Sequence, residues 1–351
     1  MATITAAKGG NWSDPTVWNG GVLPGAGGAN DNADCNGYGV SINQDVNLNG
    51  GALIGTSASA GQFNVASSRT ITANITASVK ALLSANGGAG VTVTVIGNVT
   101  AGTTGAGIFT GGAGGLNITG NVLGGSGSNT HGVDNRSTGP MTVTGNVTGG
   151  SSGNGIFHYI SGGILTVVGI VTGGSVPSPT GITNGLAGTV NITGSVVGAV
   201  YFGVDNQSTG LVALTGNTTG GSGNVGIWQS GAGTVTVSGS ATGGTNSIQP
   251  GARNNAGGSM TVGTAVGNNF GPGGGSSSGP GVSGSATAGA VTKVYKVQYG
   301  PYGQSPTAGA VKMLSDATNM ATFKDSAGGA DIALVPARPG GSSGPFKGPM
   351  G

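Results

Sequence analysis

The sequence contains no glutamate, a single cysteine and few charged residues of either sign. Charged residues make up 6% of the 351 residues, and all nine acidic residues are aspartate. Intrinsically disordered proteins usually combine high net charge with few apolar residues, so this composition argues against disorder. The basic residues are scattered and the formal net charge is only +2. We therefore expect no nucleic-acid partner.

Long apolar runs are also missing. No stretch has the length needed to span a membrane, and the first residues, Met-Ala-Thr-Ile-Thr-Ala-Ala-Lys, lack the apolar core of a signal peptide. We therefore expect no membrane partner and a product made in the cytoplasm of a host cell. Because Cys35 is the only cysteine, an intrachain disulfide is excluded, and we expect a buried structural thiol.

Glycine is what the sequence has in abundance, with 80 residues. It does not recur at every third position, which excludes a collagen triple helix. Glycine adopts backbone angles that other residues resist. The composition therefore favours an all-β fold in which many tight turns join short apolar strands.

A seven-residue phrase returns throughout the middle of the chain. In its clearest form it reads apolar-Thr-Val-Thr-Gly-Asn-Val, and successive clear copies begin 22 to 25 residues apart. Weaker copies begin at Val40 and Arg69. A fixed period of this length is typical of a repeat protein with one structural unit per repeat. The clear copies begin at Val93, Leu116, Met141, Leu165, Val190, Val212, Val235 and Met260.

Each copy alternates between apolar and polar residues. In the copy that begins at Met141, the apolar residues Met141, Val143 and Val147 fall on one side of an extended chain. This two-residue period predicts a half-buried strand. Glycine- and serine-rich corners separate the strands, and we predict a parallel β-helix (β-solenoid) of about ten coils of ~24 residues. A sandwich or barrel would show turn signals every 8–12 residues instead.

A second recurring element of the repeat is a glycine followed by a small apolar residue. Two copies extend into nearly the same phrase, Gly132-Val-Asp-Asn-Arg-Ser-Thr-Gly139 and Gly203-Val-Asp-Asn-Gln-Ser-Thr-Gly210. We interpret the pairs Asp134-Asn135 and Asp205-Asn206 as corner residues whose side chains hydrogen-bond the local turn. The corner loops also present the predicted surface-contact residues, which are His158, Tyr159, Tyr201, Phe202 and Trp228.

Composition divides the chain into five segments. We predict an N-terminal cap at 1–39, in which the rings of Trp12 and Trp18 close the open apolar end of the first coil. The solenoid follows at 40–266 and a Gly/Ser/Pro linker at 267–290. A small β-rich docking or oligomerisation module occupies 291–338, and an extended tail ends the chain at 339–351. Within the module, an exposed strand is predicted at Val291–Tyr299, and further strands or a short helix at Val311–Leu314, Met320–Lys324 and Asp331–Val335.

The opening Gly10-Asn-Trp-Ser-Asp-Pro…Trp18…Pro24-Gly, followed by repeats of Val-Thr-Val-Thr-Gly-Asn-Val-Thr-Gly-Gly, resembles the repeat-rich virion proteins of tailed bacteriophages. It is similar, more distantly, to secreted bacterial β-helix proteins. The resemblance implies a non-catalytic structural protein of the particle: a head decoration or fibre, or a tail fibre or spike. It implies a homotrimer that contacts other virion proteins, with a host cell-surface glycan as a further partner.

The residues that could support catalysis or metal binding are few. Glycoside hydrolysis normally uses two carboxylates about 5–10 Å apart. Asp134 and Asp205 occupy equivalent places three coils apart, which corresponds to ~14 Å. His131 and His158 lie in successive coils with no third ligand type beside them. We therefore predict no catalytic residue, no metal and no cofactor, although solenoids of this kind include polysaccharide-degrading enzymes.

Two further functions remain open at this point. A bacterial surface adhesin or filament subunit would use the same rod. An ice-binding protein would use outward threonine pairs such as Thr142 and Thr144, although Val168, Ala213 and Gly263 interrupt that array.

Overall fold

A computed structural model of the chain describes residues 2–55, 62–77, 82–83, 88–176, 178–244, 250–256 and 258–266, together with four backbone strands between 282 and 323. The fold is a parallel β-solenoid of about nine coils, each of about 24 residues. The helical content of the described residues is limited to three 3₁₀ turns near the N-terminus, at Pro15–Val17, Asn19–Gly21 and Ala26–Gly28. The predicted all-β solenoid is confirmed.

Three sheets run along the solenoid axis, and their strands pair in parallel except for the last two strands of the first sheet. The second sheet has nine strands and the third has three, at the N-terminal end. The strands of the second sheet are Leu82–Leu83, Ile108–Gly112, Val133–Ser137, Ile156–His158, Ile182–Asn184, Val204–Asn206, Ile227–Gln229, Ala252–Asn254 and Val282–Gly284. The strands of the third sheet are Gly10–Asn11, Gly39–Ser41 and Gln62–Asn64.

The first sheet is the largest and contains the seven-residue phrases. From Thr92 to Thr219 each coil contributes two short strands to it, separated by a kink. The strands are Ala2–Thr5, Asp31–Asp34, Val46–Gly55, Arg69–Ala77, Thr92–Ile96, Val99–Ala101, Gly115–Thr119, Val122–Leu123, Met141–Thr144, Val147–Thr148, Ile164–Val168, Val171–Thr172, Thr189–Thr193, Val196–Val197, Leu211–Thr215, Thr218–Thr219, Thr234–Thr242, Ser259–Val266, Val291–Gln298, Val311–Ser315 and Asn319–Phe323.

Equivalent residues of successive coils stack in register. Met141 pairs with Leu116 of the preceding coil and Leu165 of the following one. Val147 pairs in the same way with Val122 and Val171. These side chains are buried and fill the narrow interior between the sheets, as the alternation of the phrase predicts.

A glycine produces the kink between the two strands of each of the six coils from Thr92 to Thr219, and asparagine follows it in four of them. Gly145 has φ of 150°, and a Cβ there would lie 2.2 Å from the carbonyl oxygen of Gly120, its equivalent in the preceding coil. The next residue, Asn146, accepts a hydrogen bond from the backbone N–H of Ile170 at 2.9 Å. Its own N–H donates to Asn121 Oδ1, also at 2.9 Å. Glycine is thus required by the close stacking, and asparagine links one coil to the next.

The prediction that a copy of the phrase begins at Val40 is wrong. Val40 lies in the third sheet, paired with Gly10 and Phe63, and that coil enters the first sheet only at Val46. The early coils lack the regular Gly-Asn kink. The start of the phrase there is predicted only from the alternation of apolar and polar residues, which places that start too early in the sequence. This correction is consistent with about nine coils where the sequence predicts about ten.

Trp12 and Trp18 are both buried at the N-terminal end. Their ring centroids are 4.9 Å apart in an edge-to-face arrangement, and Trp18 Nε1 donates a hydrogen bond to the carbonyl oxygen of Trp12 at 3.1 Å. Trp12 also contacts the ring of Phe63. The two residues belong to the same apolar cluster as the first coils. Cys35 is buried, as expected.

At the C-terminal end, Val282–Gly284 pairs in parallel with Ala252–Asn254, and Val291–Gln298 pairs in parallel with Ser259–Val266. Val311–Ser315 pairs in parallel with Val291–Gln298. Asn319–Phe323 pairs antiparallel with Val311–Ser315. The strand predicted at Asp331–Val335 and the tail 339–351 lie outside the described residues. The segment boundaries stay a prediction.

Candidate functional site

The outward side of the second sheet contains all of the charged residues that the chain has between positions 81 and 290. They are Asp134, Arg136, Asp205 and Arg253, and each lies within a strand of this sheet. Aromatic side chains occupy intervening positions of the same ladder, because Phe157 pairs with Asp134 and Trp228 pairs with Asp205. Charge and aromatic rings are therefore gathered on one side of the solenoid.

A first groove, of about 640 Å³, surrounds the earlier copy of the Gly-Val-Asp-Asn phrase. Arg136 Nε donates to Asp134 Oδ1 at 2.9 Å, and a terminal guanidinium nitrogen donates to Oδ2 at 3.2 Å. The ring of Phe157 stacks on His131 at 4.8 Å and on Tyr159 at 5.4 Å. Polar side chains complete the lining, namely Ser128, Asn129, Ser152, Asn154 and Ser178.

A second groove, of about 440 Å³, surrounds the later copy. Trp228 stacks on Phe202 with centroids 5.1 Å apart. The guanidinium carbon of Arg253 lies 4.5 Å from the centre of the Trp228 ring. Tyr201 contacts Phe202 at 4.0 Å. The groove thus contains three aromatic rings and one cation in three successive coils.

The aromatic contacts connect coils to one another. Trp228 contacts Phe202 from the coil before it and Arg253 from the coil after it. Ring stacking and cation–π contacts each contribute about 0.5–1.5 kcal/mol beyond the buried area. These contacts use ring faces of Trp228 and Phe157, so the grooves offer ring edges and polar groups to an incoming molecule.

The two aspartates differ in their neighbours. Asp134 has a two-pronged ion pair with Arg136. Asp205 has Gln207 at the equivalent place, which donates one hydrogen bond to Oδ2 at 2.6 Å. Among the described residues, Oδ1 of Asp205 has no hydrogen-bond partner. Burial raises the pKa of Asp205 to about 6, and the hydrogen bond from Gln207 opposes that rise.

This difference predicts a pH-dependent gain in stability for Gln207→Arg. Because the pKa of Asp205 is raised when folded, stability is lost as pH rises from about 4 to about 6. An arginine at 207 would pair with Asp205 as Arg136 pairs with Asp134. We expect the free energy of unfolding to rise by about 1–2 kcal/mol at pH 7.5, with a much smaller gain at pH 4.5.

Urea unfolding at the two pH values measures this effect. The reciprocal variant Arg136→Gln is the control and should lose stability at pH 7.5. A gain for Gln207→Arg that is equal at both pH values would contradict this account of Asp205.

The inward side of the second sheet contains a buried polar ladder. Asn184 Nδ2 donates to Asn206 Oδ1, and Asn206 Nδ2 donates to Gln229 Oε1, each at 3.1 Å. Nδ2 of Asn135 and Nδ1 of His158 are 3.0 Å apart. All of these side chains are fully buried. The ladder consists of Thr110, Asn135, His158, Asn184, Asn206, Gln229 and Asn254.

The prediction of His158 as a surface contact is therefore wrong. Alternation in the strand Ile156–His158 places Ile156 and His158 inside and Phe157 outside. Burial lowers the pKa of His158 to about 4, so the imidazole is neutral at pH 7. Tyr159 is 45% exposed, and Tyr201 and Trp228 are partly exposed. Phe202 is largely buried.

The interpretation of Asp134 and Asp205 as turn residues is also wrong. Both lie in the middle of strands, with their carboxylates bonded to the side chains two residues later. The prediction that the two aspartates are three coils apart is confirmed, because two strands of the second sheet lie between theirs. The sequence alone did not point to Arg136, Arg253 or the inner ladder as functional or structural features.

The described part of the chain contains no group of three or more His, Cys, Asp or Glu side chains able to hold a metal ion. Within the same residues, no helix is long and apolar enough to cross a membrane. No protein-family model, curated protein or solved structure matches the chain.

Proposed function

We propose that the chain is a non-catalytic structural component of a bacteriophage particle, made in the host cytoplasm and built into the virion as a rigid rod. The observation that supports this most is the uninterrupted stack: every strand of the first sheet from Arg69 to Val266 pairs in parallel with the coil before it and the coil after it. The resemblance of the opening and the repeats supplies the link to virions.

The side-chain ladders support the rigidity of the rod. On the outside, asparagine side chains at 74, 98, 121 and 146 each accept a hydrogen bond from the following coil. On the inside, side chains of the polar ladder of the second sheet also form hydrogen bonds between successive coils. In a stacked repeat protein, stability is the sum of coil and neighbour terms, so each of these bonds resists separation of adjacent coils.

The two grooves of the second sheet are the surface that we propose for contact with a host cell-surface glycan. Their lining combines amide, hydroxyl and charged groups with aromatic edges, as in Asn129, Asn154, Arg136 and Trp228. Their volumes lie within or near the range of small-ligand pockets, about 300–1,000 Å³. Other virion proteins and further copies of the chain are the remaining proposed partners.

A bacterial surface adhesin or filament subunit is the alternative, because the same rod and grooves would serve it. Density-gradient fractionation of the source culture separates the two. We expect peptides of this chain to sediment with phage particles in fixed proportion to the major capsid protein. Peptides that sediment with the bacterial cell envelope, and are absent from particles, would replace the virion proposal with the adhesin.

A further inference from the structure

The outward side of the first sheet has no charged residue over eight successive rungs. We call the outward side chains of these rungs the Thr face. They alternate with the buried core residues, and most are threonine, asparagine or serine. The rungs are Thr92–Ile96, Gly115–Thr119, Met141–Thr144, Ile164–Val168, Thr189–Thr193, Leu211–Thr215 and the first halves of Thr234–Thr242 and Ser259–Val266.

Two of the three outward residues of the fourth rung are apolar, Ile164 and Val168, and Thr166 lies between them. Ile164 and Val168 are 47% and 44% exposed, and Ile170, just beyond the kink at Gly169, is 47% exposed. The equivalent residues in the neighbouring coils are mostly polar: Val168 pairs with Thr144 on one side and Thr193 on the other. The fourth rung and the residue just after it thus place three exposed apolar side chains on a face that is uncharged and mostly polar.

We propose that the Thr face is the surface through which copies of this chain assemble, with the apolar residues of the fourth rung at the centre of the contact. The inference deepens the proposed function, from which it takes the expectation that copies associate. The Thr face is a different surface from the corner loops, where the sequence places the predicted surface-contact residues.

The size of the Thr face fits a contact between proteins. Eight rungs spaced about 4.8 Å apart span about 34 Å, and five residues at about 3.3 Å span about 17 Å. The resulting area of about 570 Å² is close to the about 600 Å² that each partner contributes at the lower end of stable interfaces. The arrangement also matches interface anatomy, in which an apolar centre without charges is surrounded by a polar rim.

A second copy of the chain fits this face better than a partner of another kind. The face contains no charge to select an acidic or basic partner. Its rungs repeat at the spacing of parallel strands, and an identical face presents the same spacing, so hydroxyl and amide rows can meet rung for rung. The charged and aromatic residues of the second sheet remain free to contact other molecules.

The test places a charge at the centre of the proposed contact in the full-length protein. Sedimentation velocity of the wild-type chain should give two or three times the monomer mass. Val168→Lys should weaken assembly by at least about 30-fold, because the interface would bury like charges. Ile164→Lys provides a second variant with the same expectation, and circular dichroism melting shows whether each variant folds.

Val176→Lys is the matched control, because Val176 belongs to the same coil and is 57% exposed but lies in the corner that leads to the second sheet. It should assemble like the wild type. A monomeric wild-type chain overturns the proposal, including the case in which that monomer shows thermal hysteresis and so binds ice. Folded Val168→Lys and Ile164→Lys that keep the wild-type mass also overturn it. Fractionation with particles tests the virion proposal independently of these masses.

Discussion

Replacing Gly150 by alanine is expected to cost more than about 4 kcal/mol, which is enough to abolish the folded stack in a protein of ordinary stability. A Cβ at this position would lie 1.6 Å from the carbonyl oxygen of Gly125 in the preceding coil and 2.2 Å from Thr130 Oγ1. The backbone has little room to move, because the N–H of Gly150 donates to the carbonyl oxygen of Thr130 at 2.6 Å. The corner therefore requires glycine for space.

Gly223→Ala is the matched control. Gly223 lies in the equivalent corner three coils later, and a Cβ there would have no heavy atom within 4 Å. We expect its free energy of unfolding to stay within about 0.5 kcal/mol of the wild type. Urea unfolding followed by circular dichroism measures both variants. Similar stability for Gly150→Ala and Gly223→Ala would mean that the coils do not stack as closely as described.

Replacing Asn206 by leucine is expected to cost about 3 kcal/mol or more. Its Nδ2 donates to the carbonyl oxygen of Gly210 and to Gln229 Oε1, and its Oδ1 accepts from Asn184 Nδ2, all at 3.1 Å. Leucine would remove all three bonds at once. The groups left behind are buried, and each unsatisfied buried group costs about 1–3 kcal/mol.

The same substitution at Asn11 is the control for the inner ladder. Asn11 lies in the third sheet, away from the Thr face, and is exposed. We expect Asn11→Leu to change the free energy of unfolding by less than about 0.5 kcal/mol. If Asn206→Leu is as stable as the wild type, the second sheet does not depend on its inner ladder and the packing described for it is wrong.

The strands of the first sheet can be predicted from the sequence because the seven-residue phrase is long enough to show alternation and recurs in many copies. The phrase from Met141 to Val147 contains enough alternating positions to assign Met141 and Val143 to the interior, and both are buried. Its Gly-Asn pair recurs with the coil period, and the structure gives both residues a role in stacking. Alternation, period and turn chemistry agree there.

The second sheet could not be predicted in the same way, because its strands from Ile108 to Asn254 are only three to five residues long. Three residues, as in Ile156–His158, are too few to show alternation. The usual expectation that polar side chains face water then places His158 and Asn135 outside. A signal was nevertheless present. From Val133 onward, the apolar residue of this element is followed two positions later by an amide or imidazole side chain, namely Asn135, His158, Asn184, Asn206, Gln229 and Asn254.

Which residues share a side of the solenoid could be predicted only in part. The sequence shows that charges are rare between residues 81 and 290, but it does not show which strands share a side. Parallel stacking brings Asp134, Phe157, Asp205 and Trp228 into one ladder on the second sheet. The same stacking leaves the Thr face of the first sheet without charge. Both candidate contact surfaces depend on this arrangement in three dimensions.

Immunogold electron microscopy of intact particles tests the central proposal most directly. Antibodies raised against the full-length chain should label phage particles from the source culture at a constant position on the head or the tail. Preincubation of the antibodies with the purified chain should abolish the labelling. Gold on the bacterial envelope with unlabelled particles would contradict a virion protein and support the adhesin.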